Sequence, residues 1–233
     1  MPLSADEFQS CLQLARFPAG ACLVTFDDGW YDNEEHAFPI LRELGVPMTL
    51  FVATGFVGTN DTFWQERLTR QLFELSRSPA MGRRPLELLG IADVCDFGDD
   101  IARHRILDFV TTLKSSTVTE IDRIAATVAN ACRQVGLDAV SFGDDRFLDW
   151  QALSSMAATR LVTVGAHGHS HVPLPRLGRE VATIDLQRSV REIERRGLPP
   201  PAMCAYPNGD YDAATMNCPG EAGLRFAFTT KHG

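Results

Sequence analysis

Two adjacent carboxylates, Asp27 and Asp28, close an apolar run, and three of the six histidines fall inside His167-Gly168-His169-Ser170-His171. Neighbouring carboxylates repel unless a cation or a shared proton intervenes. His167 and His171 stand four residues apart, a spacing that lets two imidazoles on a turn or a helix face reach one ion. One aspartate with these two histidines makes a facial metal set with open positions, suited to Zn²⁺ or another divalent first-row ion. The other aspartate is then free to take a proton from metal-bound water, whose pKa a metal brings to about 7. Taken alone, HxxxH reads as a polar turn with surface histidines. The carboxylate pair ending a separate apolar run argues for the metal set. Asp99-Asp100 and Asp144-Asp145 differ, since they lie in polar, glycine-containing loops and read as solvated faces or helix caps.

Such residues need a scaffold that brings distant strand ends together. Ala21–Phe26 (ACLVTF) is a continuous apolar run, as a doubly covered parallel strand requires. Asn33–Gly45 reads as a helix that Pro39 kinks and a glycine ends. Pro47–Thr54 is a second strand and Phe63–Leu75 a helix. Phe147–Thr159 is helical, and Leu161–Ala166 is a third strand leading into His167. In Thr183–Arg196, Leu186, Val190 and Ile193 fall at i, i+4 and i+7, the spacing of an amphipathic helix. Met203–Tyr206 and Leu224–Thr229 are a fourth and a fifth strand. The alternation predicts an α/β fold with a parallel sheet, closed or partly closed. The strand C-termini of such a sheet share one face, where the aspartates, the histidines and Ala205–Asp210 (AYPNGD) would meet. Residues 78–143 interrupt the alternation. Their helices, near Ile101–Leu113 and Thr119–Val135, mark a helical insertion into a single domain spanning 1–233.

Composition narrows the function classes. The chain has 233 residues, 45% hydrophobic and 22% charged, with a net charge of −8. Lysine occurs only at Lys114 and Lys231, and no basic block exists, which disfavours nucleic acid as a partner. Small basic pairs remain at Arg83-Arg84 and Arg195-Arg196. The six cysteines form no CxxC pair, and Cys22 and Cys204 sit in apolar runs suited to reduced thiols. No 18-residue apolar run predicts a transmembrane helix. The first residues carry no basic and apolar leader, so the chain reads as cytoplasmic. A secreted chain trimmed of its leader reads the same.

The three clusters in this order resemble a known family. TFDDG at Thr25–Gly29, HGHSH at His167–His171 and AYPNG at Ala205–Gly209 look like the first three motifs of the polysaccharide deacetylases, carbohydrate esterase family four. Flanking text such as GVPMTLFVATGFVG, FLDWQAL and GLRFAFTT is similar too, so the resemblance covers most of the chain outside residues 78–143. It implies a distorted (β/α) barrel that hydrolyses N-acetyl groups of a carbohydrate with a divalent metal, Zn first and Co, Ni or Mn as alternatives. It further implies that Asp27 is the catalytic base and that Asp28, His167 and His171 bind the metal. Asn208 would offer its backbone N–H to the tetrahedral oxyanion.

This sequence departs from the family pattern in three ways. Ala205 stands where an arginine often braces the base. No late apolar strand carries a histidine to serve as general acid, and His232 lacks that context. Five strands make an incomplete barrel. Its open edge beside Leu224–Thr229 calls for cover from the 78–143 insertion, the N-terminal segment or a second copy of the chain. These departures keep two other readings in view: a non-catalytic carbohydrate-binding scaffold, and a deformylase of a related linear amide. Trp30 and Tyr206 are the candidate sugar contacts, although aromatics at strand ends more often pack. His169 reads as pointing away from His167 and His171.

Overall fold

The computed structural model describes residues 1–137 and 146–231. Asp144-Asp145 and His232 therefore lie outside the described residues. The chain divides into two compact units, Met1–Asp61 with Gly143–Gly233, and Thr62–Phe142.

The first unit opens with β1 (Pro2–Leu3) and α1 (Ala5–Gln13). Ser4 starts α1 through a reciprocal capping box with Glu7, which satisfies two otherwise orphaned N–H groups. Then come β2 (Cys22–Leu23) and β3 (Thr25–Phe26). The run expected as one strand is thus divided at Val24, because the chain changes partners there. Cys22 pairs with Pro2 in a small two-stranded sheet, whereas Thr25 pairs with Thr49 in the main one. Cys22 is exposed, so this run is not covered on both faces.

A π-helical turn over Asn33–Ala37 precedes α2 (Phe38–Glu43), with Pro39 in its first turn, where no N–H is missed. β4 (Met48–Val52) follows and is buried at every position. The second unit then supplies α3 (Trp64–Ser76), α4 (Pro79–Leu88), α5 (Asp99–Leu113) and α6 (Val118–Gln134). α4 occupies a stretch that sequence marks only as rich in arginine, proline and glycine. Back in the first unit are α7 (Trp150–Ala158), β5 (Val162–Ala166), α8 (Leu174–Leu177), α9 (Arg179–Arg195), β6 (Met203–Ala205), α10 (Cys218–Glu221) and β7 (Phe226–Phe228).

The main sheet is parallel, in the order β3-β4-β5-β6-β7, and curls as a half-barrel. Its two faces are filled differently. Leu50, Val52, Val164 and Ala166 pack with Leu153, Met156, Leu186 and Ile193 of the helices. Phe51, Met203 and Ala205 pack with Ala5, Phe8, Phe226 and Phe228. The N-terminal segment therefore covers apolar surface at the β7 end of the sheet. Phe8 lies 5.7 Å from Phe228, and Arg225 donates to Gln9. Among the described residues no strand pairs with the outer edge of β7. The helical unit has its own core, built on Leu68, Leu72, Leu86, Ile106 and Val128.

Candidate metal-assisted active site

The site forms where β3, β5 and β6 end. Past β3 the chain enters a left-handed turn at Asp28, φ 71°, and the Asp28 carbonyl accepts the N–H of Ala53 at the end of β4. Two strand ends are thereby tied together beneath the carboxylates. Past β5, residues 167–171 form a turn rather than the helix that i, i+4 spacing also allows. His171 is left-handed there, φ 57°. Neighbouring segments hold the turn from two sides. The N–H groups of Thr54 and Gly55 donate to the carbonyls of Gly168 and His169. On the other side Asp185 of α9 accepts the N–H of His169 at 2.8 Å and of Ser170 at 3.0 Å. Gly168 is required in between, because a Cβ there would sit 2.8 Å from the Asp185 carboxylate at φ +72°.

This anchoring aims both outer histidines at Asp28. His171 Nε2 lies 3.0 Å and His167 Nε2 3.3 Å from Asp28 Oδ1. His167 is buried, and its Nδ1 contacts the Ala205 carbonyl at 2.9 Å. A carbonyl only accepts, so Nδ1 carries the proton and Nε2 of the neutral ring keeps its lone pair. That is the tautomer a metal ligand needs. The ligand atoms of Asp28, His167 and His171 all lie within 4.8 Å of one another. Two imidazole nitrogens and a carboxylate oxygen fit a divalent first-row ion with open positions.

Electrostatics separate the two aspartates. Burial works against charge on Asp28, but the His167 and His171 imidazoles beside it outweigh burial and hold the carboxyl well below the usual range. Asp27 moves the other way. Loss of hydration raises its carboxyl, opposed by His167 and His171 and aided by the Asp28 charge. Burial likewise lowers the His171 imidazole against the pull of Asp28. Asp28 thus stays an anion, while Asp27 has the greater proton affinity. Among the described residues no side chain donates to the Asp27 carboxylate, and Ala205 carries nothing that could.

The remaining sequence candidates divide. Asn208 is left-handed, φ 59°, in the tight turn Pro207–Gly209, and its N–H has no acceptor among the described residues. Thr229 Oγ1 donates to the Gly209 carbonyl at 2.8 Å and clamps this turn. Trp30 donates from Nε1 to Asp28 Oδ2 at 3.0 Å and stacks on Phe147 at 4.2 Å. Tyr206 is buried against Tyr211, and its hydroxyl donates to the Met216 carbonyl at 2.9 Å, so that group is committed within the protein. His169 turns to Thr54 Oγ1, 3.1 Å away, and not to Asp28. Sequence reasoning missed Asp185, which reads there as one more polar residue on an amphipathic helix. It also missed the indole hydrogen bond that orients Asp28.

Comparison with known proteins points one way. The polysaccharide deacetylase family model matches residues 15–85 and 99–227. YxkH of Bacillus subtilis is 31% identical over 67 residues, which are 28% of this chain and 24% of YxkH. The Streptococcus pyogenes deacetylase PplD, solved with acetate, superposes with a TM-score of 0.57 at 16% identity, over 100% of this chain and 66% of that one. IcaB from Ammonifex degensii superposes with a TM-score of 0.58 at 17% identity, over 99% of this chain and 69% of that one. The chain thus spans about two thirds of these solved structures and matches about a quarter of YxkH. With the family model covering most of the sequence and the half-barrel shared with these structures, the chain belongs to the polysaccharide deacetylase family.

Proposed function

We propose that the protein is a divalent-metal-dependent hydrolase that removes N-acetyl groups from a carbohydrate. The observation that carries this reading is the convergence of His167 and His171 on one oxygen of Asp28, with a second carboxylate, Asp27, beside it. A divalent ion on Asp28, His167 and His171, Zn²⁺ first, would supply Lewis acidity and lower the pKa of water it takes up. The Ala205 carbonyl orients His167, and the Trp30 indole orients Asp28. Asp27 accepts the proton of the attacking water as oxygen adds to the acetamide carbonyl carbon. Its raised proton affinity suits this, since a base works best with a pKa near the working pH. The Asn208 N–H donates to the oxygen that gains negative charge as the tetrahedral centre forms. The C–N bond then breaks as the nitrogen takes up the proton removed from the water, giving acetate and a sugar amine. The half-buried ring of Trp30 is the proposed sugar contact.

Acetate release from an N-acetylated chito-oligosaccharide, with Zn²⁺ or Co²⁺ and after chelation, tests the proposal. Metal-dependent acetate supports it. Formate from a formylated sugar, with no acetate, would instead identify a linear-amide deformylase. Saturable sugar binding without turnover would identify a scaffold, consistent with the unbraced Asp27.

A further inference from the structure

We propose that the arginine-lined groove beside α9 is a phosphate-binding site, separate from the Asp28 group. The groove encloses about 410 Å³. Trp150, Thr54 and His169 line it together with Arg188, Arg191 and Arg195 of α9. The three arginines fall at i, i+3 and i+7 and therefore share one helix face. Arg196 joins them, its guanidinium 4.9 Å above the Trp150 ring. Glu192 is the one carboxylate among the lining residues.

What marks this face is the number of guanidinium groups gathered in one groove. Arg83, Arg105, Arg123 and Arg179 each have a carboxylate of their own, Asp96, Asp93, Glu120 and Glu221. In the groove Glu192 already serves two cations, Arg196 at 2.8 Å and Arg195 at 3.5 Å. Arg188 and Arg191 have no carboxylate partner among the described residues. Four guanidinium groups and one carboxylate leave three positive charges around one concavity, in a chain of net charge −8. Arginine forks match phosphate oxygens two at a time, and a dianion answers this excess better than a single carboxylate does. Thr54 and the Trp150 face add a hydroxyl and an apolar wall for whatever carries the phosphate. The groove meets the 167–171 turn at His169, so a phosphate there lies beside the segment that carries two candidate metal ligands.

Calorimetric titration of the intact protein with inorganic phosphate and with N-acetylglucosamine 1-phosphate tests the soluble source. Flotation with phosphatidylcholine vesicles, with and without phosphatidic acid, tests the lipid source. Quenching of Trp150 fluorescence, absent in Trp150→Phe, localises the event. Binding in either arm should weaken by about tenfold or more in Arg188→Gln/Arg191→Gln, since charge-assisted hydrogen bonds are lost. Arg16→Gln, on an exposed loop outside the groove, should bind like the parent. No phosphate binding in either arm, equal affinity in the double variant, or the same Trp150 quenching by chloride as by phosphate at equal ionic strength would each overturn the proposal.

Discussion

The two units carry charge and backbone strain in opposite ways. In the helical unit the ion pairs are local and solvated. Arg83–Asp96, Arg105–Asp93 and Arg123–Glu120 all keep 40% or more of each side chain exposed. Pairs of this kind contribute little, and the helices are held by their apolar faces. The β/α unit has solvated pairs too, such as Arg179–Glu221, but it also withdraws a carboxylate and two imidazoles from water. His167 is 2%, His171 9% and Asp28 24% exposed. All five non-glycine residues with positive φ among the described residues, Ala15, Asp28, Arg160, His171 and Asn208, belong to this unit. Three of those five are site candidates. Left-handed backbone at such residues costs energy that the surrounding hydrogen bonds must hold in place. The contrast teaches where to look for chemistry: Asp28 and His171 combine left-handed backbone with an ionisable side chain drawn out of water, whereas Ala15 and Arg160 are left-handed and exposed.

The sharpest way to break this contrast is to delete a ligand. Asp28→Ala, His167→Ala or His171→Ala should each abolish hydrolysis and lower bound metal per chain after dialysis, because each removes one of three donors. Parent-like metal content in all three variants would remove the ligand assignment. Asp27→Asn is expected to keep its metal while turnover falls by about 10²–10⁴-fold, the usual span for a general base. Near-parent turnover would take Asp27 out of that role.

On the helical side, Leu72 is fully buried in an apolar core. Leu72→Ala should cost about 2–5 kcal/mol in urea unfolding. Metal bound per folded molecule should stay at the parent level, and a parallel loss of metal would show that the units are not chemically distinct. A smaller effect belongs to Asp185, which accepts two N–H groups of the histidine turn. Asp185→Asn retains only one acceptor oxygen and should weaken metal affinity by about 10–100-fold, the range for groups that orient ligands. The Asp27 charge itself gives the smallest effect. Its folded pKa lies above the ordinary 3.8, so between those two values the folded state binds more protons and stability falls as pH rises. Removing that charge in Asp27→Asn should make the metal-free protein slightly more stable at neutral pH, by less than about 1 kcal/mol because water reaches the carboxylate. The gain should vanish once pH drops below the window, which chemical denaturation at several pH values can follow.

Much of the parallel sheet was legible because β4, β5, β6 and β7 are short apolar runs that each stay within one sheet. The Ala21–Phe26 run was not read correctly, since nothing local signals that Leu23 and Thr25 pair with different sheets. α4 escaped for a related reason: Gly82 and Pro85 speak against a helix locally. At the site, residue type and spacing pointed to one aspartate of Asp27-Asp28 with His167 and His171, and only the family resemblance singled out Asp28. What spacing could not supply was the means of convergence. It allowed a helix or a turn, and the left-handed His171 of the turn depends on contacts with α9 and the chain after β4. Asp185, 14 residues beyond His171, makes its contribution through main-chain N–H groups and therefore leaves no side-chain motif.

The contact between His167 Nδ1 and the carbonyl of Ala205 has an evolutionary consequence. A main-chain oxygen is present whatever codon occupies the position. Replacing Ala205 can disturb packing against Phe51 and Met203, but it cannot delete the acceptor that fixes the imidazole. The residue can therefore drift among small side chains while the histidine keeps its lone pair aimed at Asp28.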